Sequence, residues 1–333
     1  MPLPLMRWEG AAPFVGRPQA TRAGRPARRV PQMGSAAEPA GSPPAPAVEP
    51  AWEEREIVRR VWLLVLLVAL ASCGSSHHVR SRPERIVSLA PSITEILFAI
   101  GCGSKVVGVT THCNYPAAVK GIARIGQYAD PDLERILALR PHLVIGTSIA
   151  SHREVLAALS KRQVPVLCVP EGGIAELKTA VRKIGRATGN IRQAEELLRK
   201  IEAAVEDARL SSRGRRRLRV LFLVGHQPFC AAASGTLPAD LLKIVGAIPL
   251  PQKAKGYIMV SLERIAAEKP DLVLDASMGS ERSRSNQTLR QLARVIPDIE
   301  KRYFTVNPDL FCRSGPRVVD ALKTLLGVLN RWR

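Results

Sequence analysis

The chain has 333 residues, of which 46% are hydrophobic, and it carries a formal net charge of +20. This length and apolar content support a real core in one large domain or two smaller ones. So strong a positive charge suits nucleic acid or an anionic membrane surface as a partner. No recognition helix, zinc finger or aromatic-basic RNA motif accompanies the charge, so a nucleic-acid partner is not predicted.

Residues 1–57 have the composition of an unstructured segment. They contain a stretch rich in Pro, Ala, Gly and Arg without a sustained apolar period, which predicts disorder. A secretory signal should begin near the start of a chain, yet the one in this chain begins some 55 residues in. We therefore expect translation to begin later, at Met33 or at Val58, so that part or all of this segment is not made.

Residues 58–72 have the pattern of a secretory signal peptide. Two arginines precede the unbroken apolar run Val61–Ala71, and small residues follow it. The run is 11 residues long, whereas a membrane-spanning helix needs about 20. Because Cys73 directly follows Leu-Ala-Ser, the segment resembles a bacterial lipoprotein signal, and this resemblance implies that Cys73 is lipidated after cleavage. Residues 73–84 are then predicted to form a polar linker.

Residues 85–189 are predicted to form the first of two α/β lobes. Strand patterns alternate with helix patterns, which favours a mostly parallel sheet. The predicted strands are Arg85–Leu89, Lys105–Thr110, Leu143–Gly146 and Val166–Val169. The predicted helices begin at Pro91, Pro131 and Arg153. In the first of these helices, Ser92 and Glu95 have the spacing of a capping box.

Residues 190–212 carry the longest helical pattern of the chain. At about 1.5 Å per residue, the predicted helix is about 30 Å long and could bridge two lobes. Residues 213–333 begin a second α/β series, which predicts the C-terminal lobe. Its predicted elements are strands Val220–Val224 and Arg302–Val306, the loop Gly225–Phe229, and helices Leu237–Val245 and Pro316–Leu329. The predicted fold class is therefore α/β, with two similar lobes of mostly parallel sheets joined by one long bridging helix.

A repeated segment supports two lobes of similar build. Residues 132–145 and 261–274 are identical at eight of fourteen positions, with Glu134 in register with Glu263. Each copy predicts a short amphipathic helix, a proline break and a buried strand. Two such units about 130 residues apart indicate two lobes, and ligands often bind between lobes. A glutamate at the same exposed place on each lobe suggests a partner that contacts both lobes at once.

Several short motifs, in order and at compatible spacing, carry a family resemblance over roughly Arg85–Trp332. The motifs are Arg85–Ser92 with Thr94 and Glu95, Asn114–Pro116, Leu133–Ile136 with Leu139–Pro141, Val260–Glu263, and Arg313–Arg317. With these motifs the chain resembles the substrate-binding proteins of ABC importers whose lobes are joined by one long helix. That class captures cobalamin, haem and iron-siderophores, and the resemblance is closest to its cobalamin-binding members.

The resemblance implies a set of ligand-binding residues. The family's ligand-facing aromatic residues fall on Tyr128, Phe229 and Tyr257 of this chain, and its basic residue near the last strand falls on Arg313. Aromatic rings can cover the faces of a large macrocycle, and an arginine can pair with an anionic group at its edge.

The resemblance also implies a docking site for a membrane permease. Glu134 and Glu263 match the family's pair of surface carboxylates, one on each lobe, which meet arginines of the permease. Exposed ion pairs are individually weak, so such a pair would set orientation and register more than affinity. The alternative for these two residues is a pair of solvated helix faces.

Three positions depart from the cobalamin-binding members. His112 stands where they have a tyrosine, and Thr147 and Leu310 stand where they have tryptophan. His112 and His226 both fall on loops expected to face the cleft, where either could ligate cobalt or haem iron through a neutral imidazole. The alternative is a loop histidine bonded to the backbone. No dedicated set of metal ligands is evident, so no fixed metal site is predicted.

The cysteines leave the redox chemistry open. If Cys73 carries lipid, five of the six cysteines stay available in the exported part, which is an odd number. One disulfide among Cys113, Cys230 and Cys312 is compatible with the sequence, which does not decide the pairing.

Together these features predict a lipid-anchored substrate-binding protein of an ABC importer, in the periplasm or at the outer face of the cell envelope. It should capture a metal chelate in the cleft and deliver it to the permease and its ATPase. Cobalamin or a related corrinoid is the first expectation for the ligand, and haem or a ferric siderophore is the second. A chelatase-like enzyme is the alternative of another class. The sequence contains neither a nucleophile elbow nor a P-loop, so neither catalysis nor an intrinsic cofactor is predicted.

Overall fold

The computed structural model describes residues 82–277 and 282–332, all of which fall within a single compact unit. The predictions for residues 1–57, for the signal peptide 58–72 and for lipidation at Cys73 lie outside the described residues. In the part that is described, no helix combines the length and the apolar character needed to cross a bilayer.

The first lobe contains a five-stranded sheet in which every neighbouring pair is parallel, in the order β3-β2-β1-β4-β5. Its strands are β1 (Ile86–Ser88), β2 (Val106–Val109), β3 (Ala123–Arg124), β4 (Leu143–Thr147) and β5 (Val166–Val169). Its helices are α1 (Pro91–Ala99), α2 (Leu133–Ala138), α3 (Ala150–Lys161) and α4 (Ile174–Thr188). Short 3-10 turns cover Gly103–Lys105 and Ala117–Gly121.

The central strands β1 and β4 of this sheet are buried on both faces, which explains why they are largely apolar without alternation. Ile86 and Ile145 belong to the core on one face, and their neighbours Val87 and Val144 belong to the core on the other. All four are fully buried. Successive strand residues point to opposite faces, so a parallel strand with helices on both sides needs an apolar residue at every position.

The second lobe contains a six-stranded mixed sheet in the order β11-β10-β6-β7-β9, with β8 beside the first half of β6. Its strands are β6 (Arg219–His226), β7 (Phe229–Ala232), β8 (Ile248–Leu250), β9 (Tyr257–Met259), β10 (Leu272–Asp275) and β11 (Tyr303–Thr305). The β6–β7 and β7–β9 pairs are antiparallel, and the other pairs are parallel.

One long helix, α5 (Ile191–Ser212), joins the lobes as the sequence predicts. Its 22 residues make it about 33 Å long. A buried stripe that includes Leu198, Ile201 and Val205 packs α5 against α4 of the first lobe and against the closing helix α10 (Val318–Leu329) of the second. The remaining helices are α6 (Leu237–Ile244), α7 (Leu262–Glu268), α8 (Arg282–Ala293) and α9 (Pro308–Phe311), with a 3-10 turn at Ile299–Arg302. The predicted two-lobed α/β fold is confirmed.

One predicted loop is wrong, and one helix was not predicted. The segment Gly225–Phe229 is not a loop, because β6 continues to His226 and pairs with β7 in a hairpin whose connection is only Gln227 and Pro228. The helix α4 was not predicted, although Leu177, Val181 and Ile184 recur at helical spacing and are buried. The hairpin was not predicted because its two strands pair antiparallel, whereas the alternation of strand and helix patterns favours parallel strands.

The repeated segment forms the same device in both lobes. Helices α2 and α7 are capped by Asp132 and Ser261, whose side chains accept the N–H of the third residue on. Both copies then pass through a left-handed residue, Arg140 or Lys269, each with φ of 44°, just before the proline. The next strands, β4 and β10, lie beside β1 and β6 of their own sheets.

Candidate functional site

A cavity of about 720 Å³ lies between the two lobes. Its walls come from loops at the carboxyl ends of parallel strands, since Pro91 follows β1, Glu171 follows β5 and Ala276 follows β10. Open α/β sheets place their ligand sites at this edge. The volume falls within the range of about 300–1,000 Å³ that is usual for small-molecule sites.

Four of the six residues predicted to contact a ligand line this cavity. His112 and Tyr128 come from the first lobe, and Tyr257 and Arg313 come from the second. The structure therefore assembles one predicted site from residues as far apart as positions 112 and 313 of the chain.

The two tyrosines are related by the repeat. Tyr128 stands six residues before Glu134, and Tyr257 stands six residues before Glu263. Each lobe thus contributes one phenol ring from the same position of its repeated unit to a shared cavity. Extending the repeat alignment by four residues would have found this pair in the sequence alone.

Phe229 does not lie in the cavity, contrary to the prediction. It is the first residue of β7, is 7% exposed, and packs in an apolar cluster with Leu221 and Leu223 of β6 and Leu292 of α8. The hairpin directs its ring into the core of the second lobe, so the aromatic ring serves packing there.

His226 also lies away from the cavity and belongs to a polar cluster of the second lobe. Its Nδ1 atom is 2.5 Å from the hydroxyl of Thr288, and its Nε2 atom is 3.9 Å from Oδ2 of Asp275. The same carboxylate, which is buried, accepts a hydrogen bond from the Tyr303 hydroxyl. His226 does not line the cavity, and its Nδ1 atom is bound to Thr288, so the predicted role of His226 as a metal ligand in the cleft is corrected.

Tyr128 is held in place by two side chains. Its hydroxyl donates a 2.6 Å hydrogen bond to Oε2 of Glu171, and its ring meets His152 edge-on with 5.0 Å between centroids. The backbone N–H of Thr147 donates to His152 Nδ1 at 3.1 Å, so the ring proton is on Nε2, which donates to the Tyr128 carbonyl at 2.7 Å. Burial lowers the pKa of His152, which favours this neutral form.

His152 was missed by the sequence analysis. It lies on the buried face of α3 with Leu156 and Leu159, at positions i, i+4 and i+7. That spacing marks a histidine that faces the core rather than solvent. Its position beneath Tyr128 depends on a contact between residues 24 apart, which no local pattern shows.

The side chain of Arg313 reaches the cavity, but it is bound on several sides. Its Nη2 atom lies 2.5 Å from Oδ1 of Asp309, and its Nη1 atom lies 2.7 Å from Oδ1 of Asn114 in the other lobe. Nη1 also lies 3.6 Å from Glu95, and Nη2 donates to the carbonyl of His112 at 3.2 Å. Arg313 is therefore part of a contact between the lobes.

Glu95 lies at the centre of that contact. It does not form the capping box that was predicted with Ser92 at the start of α1. The residue that caps α1 is Ala90, without a side-chain hydrogen bond. Glu95 is buried and accepts two hydrogen bonds from Arg317, at 2.9 Å from Nε and 2.5 Å from Nη2. Arg317 also stacks on the ring of Tyr115 at 4.6 Å. The pair joins α1 of the first lobe to the segment just before α10 of the second.

Three further side chains of the cavity, Tyr128, Tyr257 and Cys312, are held neutral. Desolvation by the surrounding walls, together with the Glu171 carboxylate, raises the pKa values of both Tyr128 and Tyr257, although the side chain of Tyr257 stays half exposed. Burial and Asp309 raise the pKa of the Cys312 thiol to about 12. Both phenols and the thiol therefore stay protonated near neutral pH.

Metal-binding and redox chemistry find little support in the described part of the chain. No group of three or more His, Cys, Asp or Glu residues there is arranged to hold a metal ion. Cys113, Cys230 and Cys312 are free thiols. His112 is exposed and lines the cavity as a single imidazole.

The positions where the cobalamin-binding members have tryptophan do not contribute to the cavity. Thr147 is buried, and its hydroxyl lies 2.9 Å from His152 Nδ1. Leu310 packs against the core that α5 organises. The aromatic surface of the cavity therefore comes from the two tyrosines and from His112.

Glu134 and Glu263 occupy the exposed first turns of α2 and α7. Within residues 82–277 and 282–332, neither carboxylate forms an ion pair. A hydrogen bond from Ser261 lowers the pKa of Glu263. Both residues are therefore available to cations outside the chain.

Comparison with known proteins relates this architecture to proteins of transport systems. The family model described as periplasmic binding protein matches residues 86–295. The vitamin B12-binding protein of Pectobacterium carotovorum subsp. carotovorum (strain PC1) is 26% identical, over 81% of this chain and 96% of its own length. The uncharacterized ABC transporter substrate-binding lipoprotein YvrC of Bacillus subtilis (strain 168) is 25% identical, over 74% of this chain and 80% of its own.

A solved structure shows the same fold. The periplasmic heme-binding protein RhuT of Roseiflexus sp. RS-1, in its apo form, matches with a TM-score of 0.65 and 28% identity, over 73% of this chain and 96% of its own. The relatives include proteins named for two different ligands.

Proposed function

The chain belongs to the periplasmic binding protein family, and on that premise we propose that it captures a metal chelate in the cavity between its lobes for an ABC importer. Its relatives are transport proteins rather than enzymes, and the chain is not an enzyme. The observation that carries the proposal is the pair Tyr128 and Tyr257, one from each lobe, which line a single 720 Å³ cavity. Two such rings suit the faces of a large flat ligand.

Cobalamin or a related corrinoid is the ligand that we propose first. The relative that covers most of this chain among those described above is named a vitamin B12-binding protein. The family's ligand-facing aromatic positions at Tyr128 and Tyr257 lie in the cavity, whereas the position at Phe229 does not. The aromatic contacts to the ligand would therefore come from fewer rings than the family pattern implies.

Haem or a ferric siderophore is the second candidate, favoured by one observation. The heme-binding protein RhuT shares the fold at 28% identity, and His112 offers a single exposed imidazole to the cavity. An imidazole nitrogen is a usual axial ligand of haem iron. In this case His112 would bind the iron.

Delivery to a permease is proposed to use Glu134 and Glu263. These carboxylates lie at equivalent, exposed places on the two lobes and form no ion pair in the described part of the chain. A permease with one cationic patch for each lobe would be positioned by them. Charge pairs at the rim of an interface govern orientation and association rate more than affinity.

The family implies an extracytoplasmic location, and we propose that a lipid on Cys73 anchors the protein there. The support is the lipoprotein-like sequence before Cys73 and the name of the Bacillus subtilis relative, a lipoprotein. Mass spectrometry of the protein from the cell envelope should find a lipid on Cys73. A Cys73→Ala variant that stays in the membrane fraction as well as the parent protein would contradict the anchor.

The test of the ligand is equilibrium dialysis of the purified full chain against cyanocobalamin, haemin and a panel of ferric siderophores. We expect saturable binding of one of them, weakened about ten-fold by Tyr128→Ala or Tyr257→Ala because each removes an aromatic ring that lines the cavity. Phe229→Leu serves as the matched control, since Phe229 lies outside the cavity. Cyanocobalamin binding would establish the first candidate, whereas haemin binding lost in His112→Ala would establish the second.

A further inference from the structure

The cavity contains one carboxylate whose charge is not balanced by any described residue. Its charged lining residues are Glu171 and Arg313. Arg313 lies beside Asp309 and Glu95, and Glu95 is also bound by Arg317. Two arginines and two carboxylates thus neutralise each other within this group. Glu171, by contrast, forms no ion pair among the residues that the structure describes.

Glu171 lines the cavity from the loop between β5 and α4. It stands two residues beyond β5 and two residues before Gly173, the N-cap of α4. Its Oε2 atom accepts the hydroxyl of Tyr128, a neutral donor that leaves its negative charge in place. The carboxylate also contributes to the raised pKa values of both Tyr128 and Tyr257, so its field reaches the tyrosines of both lobes.

We propose that Glu171 determines the specificity of the cavity, by selecting a ligand with a neutral or cationic rim of N–H donors and disfavouring a ligand with a carboxylate rim. This inference rests on the proposed capture of a chelate in the same cavity. A ligand that displaces water from Glu171 must replace the lost hydrogen bonds, and amide N–H groups do so. A carboxylate placed there meets a like charge in a partly apolar site, where screening is weaker than in water.

Arg313 could bind an anionic ligand only by losing contacts that it already makes within the protein. To pair with a ligand carboxylate, it must give up Asp309 at 2.5 Å and Asn114 at 2.7 Å. The side chain of Arg313 is only 14% exposed, and that of Glu95 only 2%. A buried carboxylate left with fewer partners opposes such an exchange. The balanced group therefore holds the lobes together, and Glu171 sets the charge that the ligand meets.

The sharpest test compares two corrinoids with the same ring and different rims. Dicyanocobinamide carries amide side chains, and dicyanocobyrinic acid carries carboxylates in their place. Equilibrium dialysis of the purified full chain should show the amide form bound at least ten-fold more tightly. In Glu171→Gln the preference should shrink to about two-fold, mainly because the carboxylate form binds more tightly.

Glu176→Gln is the matched control variant. Glu176 lies in the first turn of the same helix α4 but does not line the cavity, so the wild-type preference should persist. Far-ultraviolet circular dichroism of each variant establishes that it is folded.

The outcomes separate the inference from the proposed function. Equal binding of the two corrinoids by the wild type, or an unchanged preference in Glu171→Gln, overturns the role of Glu171 and leaves chelate capture standing. Haemin is a dicarboxylate. If it binds more tightly than dicyanocobinamide, the role of Glu171 is also overturned, and chelate capture stands. If the folded wild type binds neither the corrinoids nor haemin nor a ferric siderophore, chelate capture itself fails and the inference fails with it.

Discussion

The two tyrosines that face the cavity come from the same position of the repeated unit, yet their lobes hold them differently. Tyr128 donates a hydrogen bond to Glu171 and rests on the ring of His152. Tyr257 begins the short strand β9 and is half exposed, and its hydroxyl has no hydrogen-bond partner in the part of the chain that the structure describes. The wall that contains Tyr128 is therefore fixed by side-chain contacts, whereas the wall that contains Tyr257 lacks such contacts among the described residues.

The difference follows from the two sheets. In the first lobe every strand is parallel, so helix α3 returns over the sheet and brings His152 beneath Tyr128. In the second lobe β9 pairs antiparallel with β7, which leaves Tyr257 at the edge of its sheet. A repeated sequence thus places equivalent residues, but the surrounding topology decides how firmly each is held.

Removing the Glu95–Arg317 contact between the two lobes should have the largest effect on stability. Glu95→Ala leaves Arg317 without its buried partner, and we expect the free energy of unfolding to fall by about 3 kcal/mol. Urea denaturation followed by circular dichroism measures this loss. Glu84→Ala, which removes the more exposed partner of Lys105, should cost less than about 1 kcal/mol. Equal losses in the two variants would show that the contact between the lobes is no stronger than a surface pair.

Acid should destabilise the protein through His152, which supports Tyr128 in the wall of the first lobe. The unfolded chain protonates His152 near pH 6.5, whereas burial lowers the pKa of this residue in the folded chain. The stability that depends on the neutral ring is therefore complete above about pH 6.5 and is lost as pH falls towards the folded-state pKa, by at most about 1.4 kcal/mol per pH unit.

Urea denaturation of wild type and His152→Gln between pH 7.5 and pH 5 isolates this contribution. The wild type should lose more stability on acidification than His152→Gln does. The exposed His112 provides the control, since His112→Gln should follow the wild type. Parallel pH curves for wild type and His152→Gln would remove His152 as the source.

The hydroxyl groups of the two tyrosines should differ in their contribution to stability. Tyr128→Phe removes a 2.6 Å hydrogen bond to Glu171, and we expect it to cost about 1 kcal/mol in the free energy of unfolding. Tyr257→Phe should change it by less than about 0.5 kcal/mol, since no partner is lost. Thermal unfolding of the two variants measures the difference, and a larger effect at Tyr257 would reverse the comparison of the walls.

The glutamates of the repeat should matter least for stability and act only on a partner. Glu134→Ala and Glu263→Ala remove exposed side chains, so each should change stability by less than about 0.5 kcal/mol. Each should weaken association with the cognate permease in detergent, and the double variant more than either single one. Glu154→Ala, on helix α3 and outside the repeat, is the control. Undiminished association of the double variant would leave these carboxylates as solvated surface.

Much of the fold could be predicted because it depends on local patterns. The repeat, the long apolar stripe of α5 and the prolines before β4 and β10 all act over a few turns of chain. The hairpin of β6 and β7 and the helix α4 were missed. In the first case two strands pair through a two-residue connection that the pattern had assigned to a loop. In the second, only Gly189 and Asn190 separate the apolar period of α4 from the longer period of α5.

The site was predicted less well, for a different reason. Tyr128, Tyr257, Arg313 and His112 reach the cavity as expected, whereas Phe229 and His226 turn into the second lobe. A family resemblance indicates where a residue stands along the chain. It does not show to which face the side chain points, and here strand β7 turns Phe229 into the core of the second lobe.

By itself, the sequence determined that two similar lobes form, that a long helix joins them, and that one glutamate is exposed on each lobe. These features depend on the spacing of apolar residues along a helix or strand. Only the tertiary structure decided which charges are available. Glu95 binds Arg317 across 222 positions of the chain and also lies beside Arg313. This group is balanced, whereas Glu171 faces the cavity without an ion pair among the described residues. Electrostatic balance depends on distance in space, and spacing along the chain does not specify it.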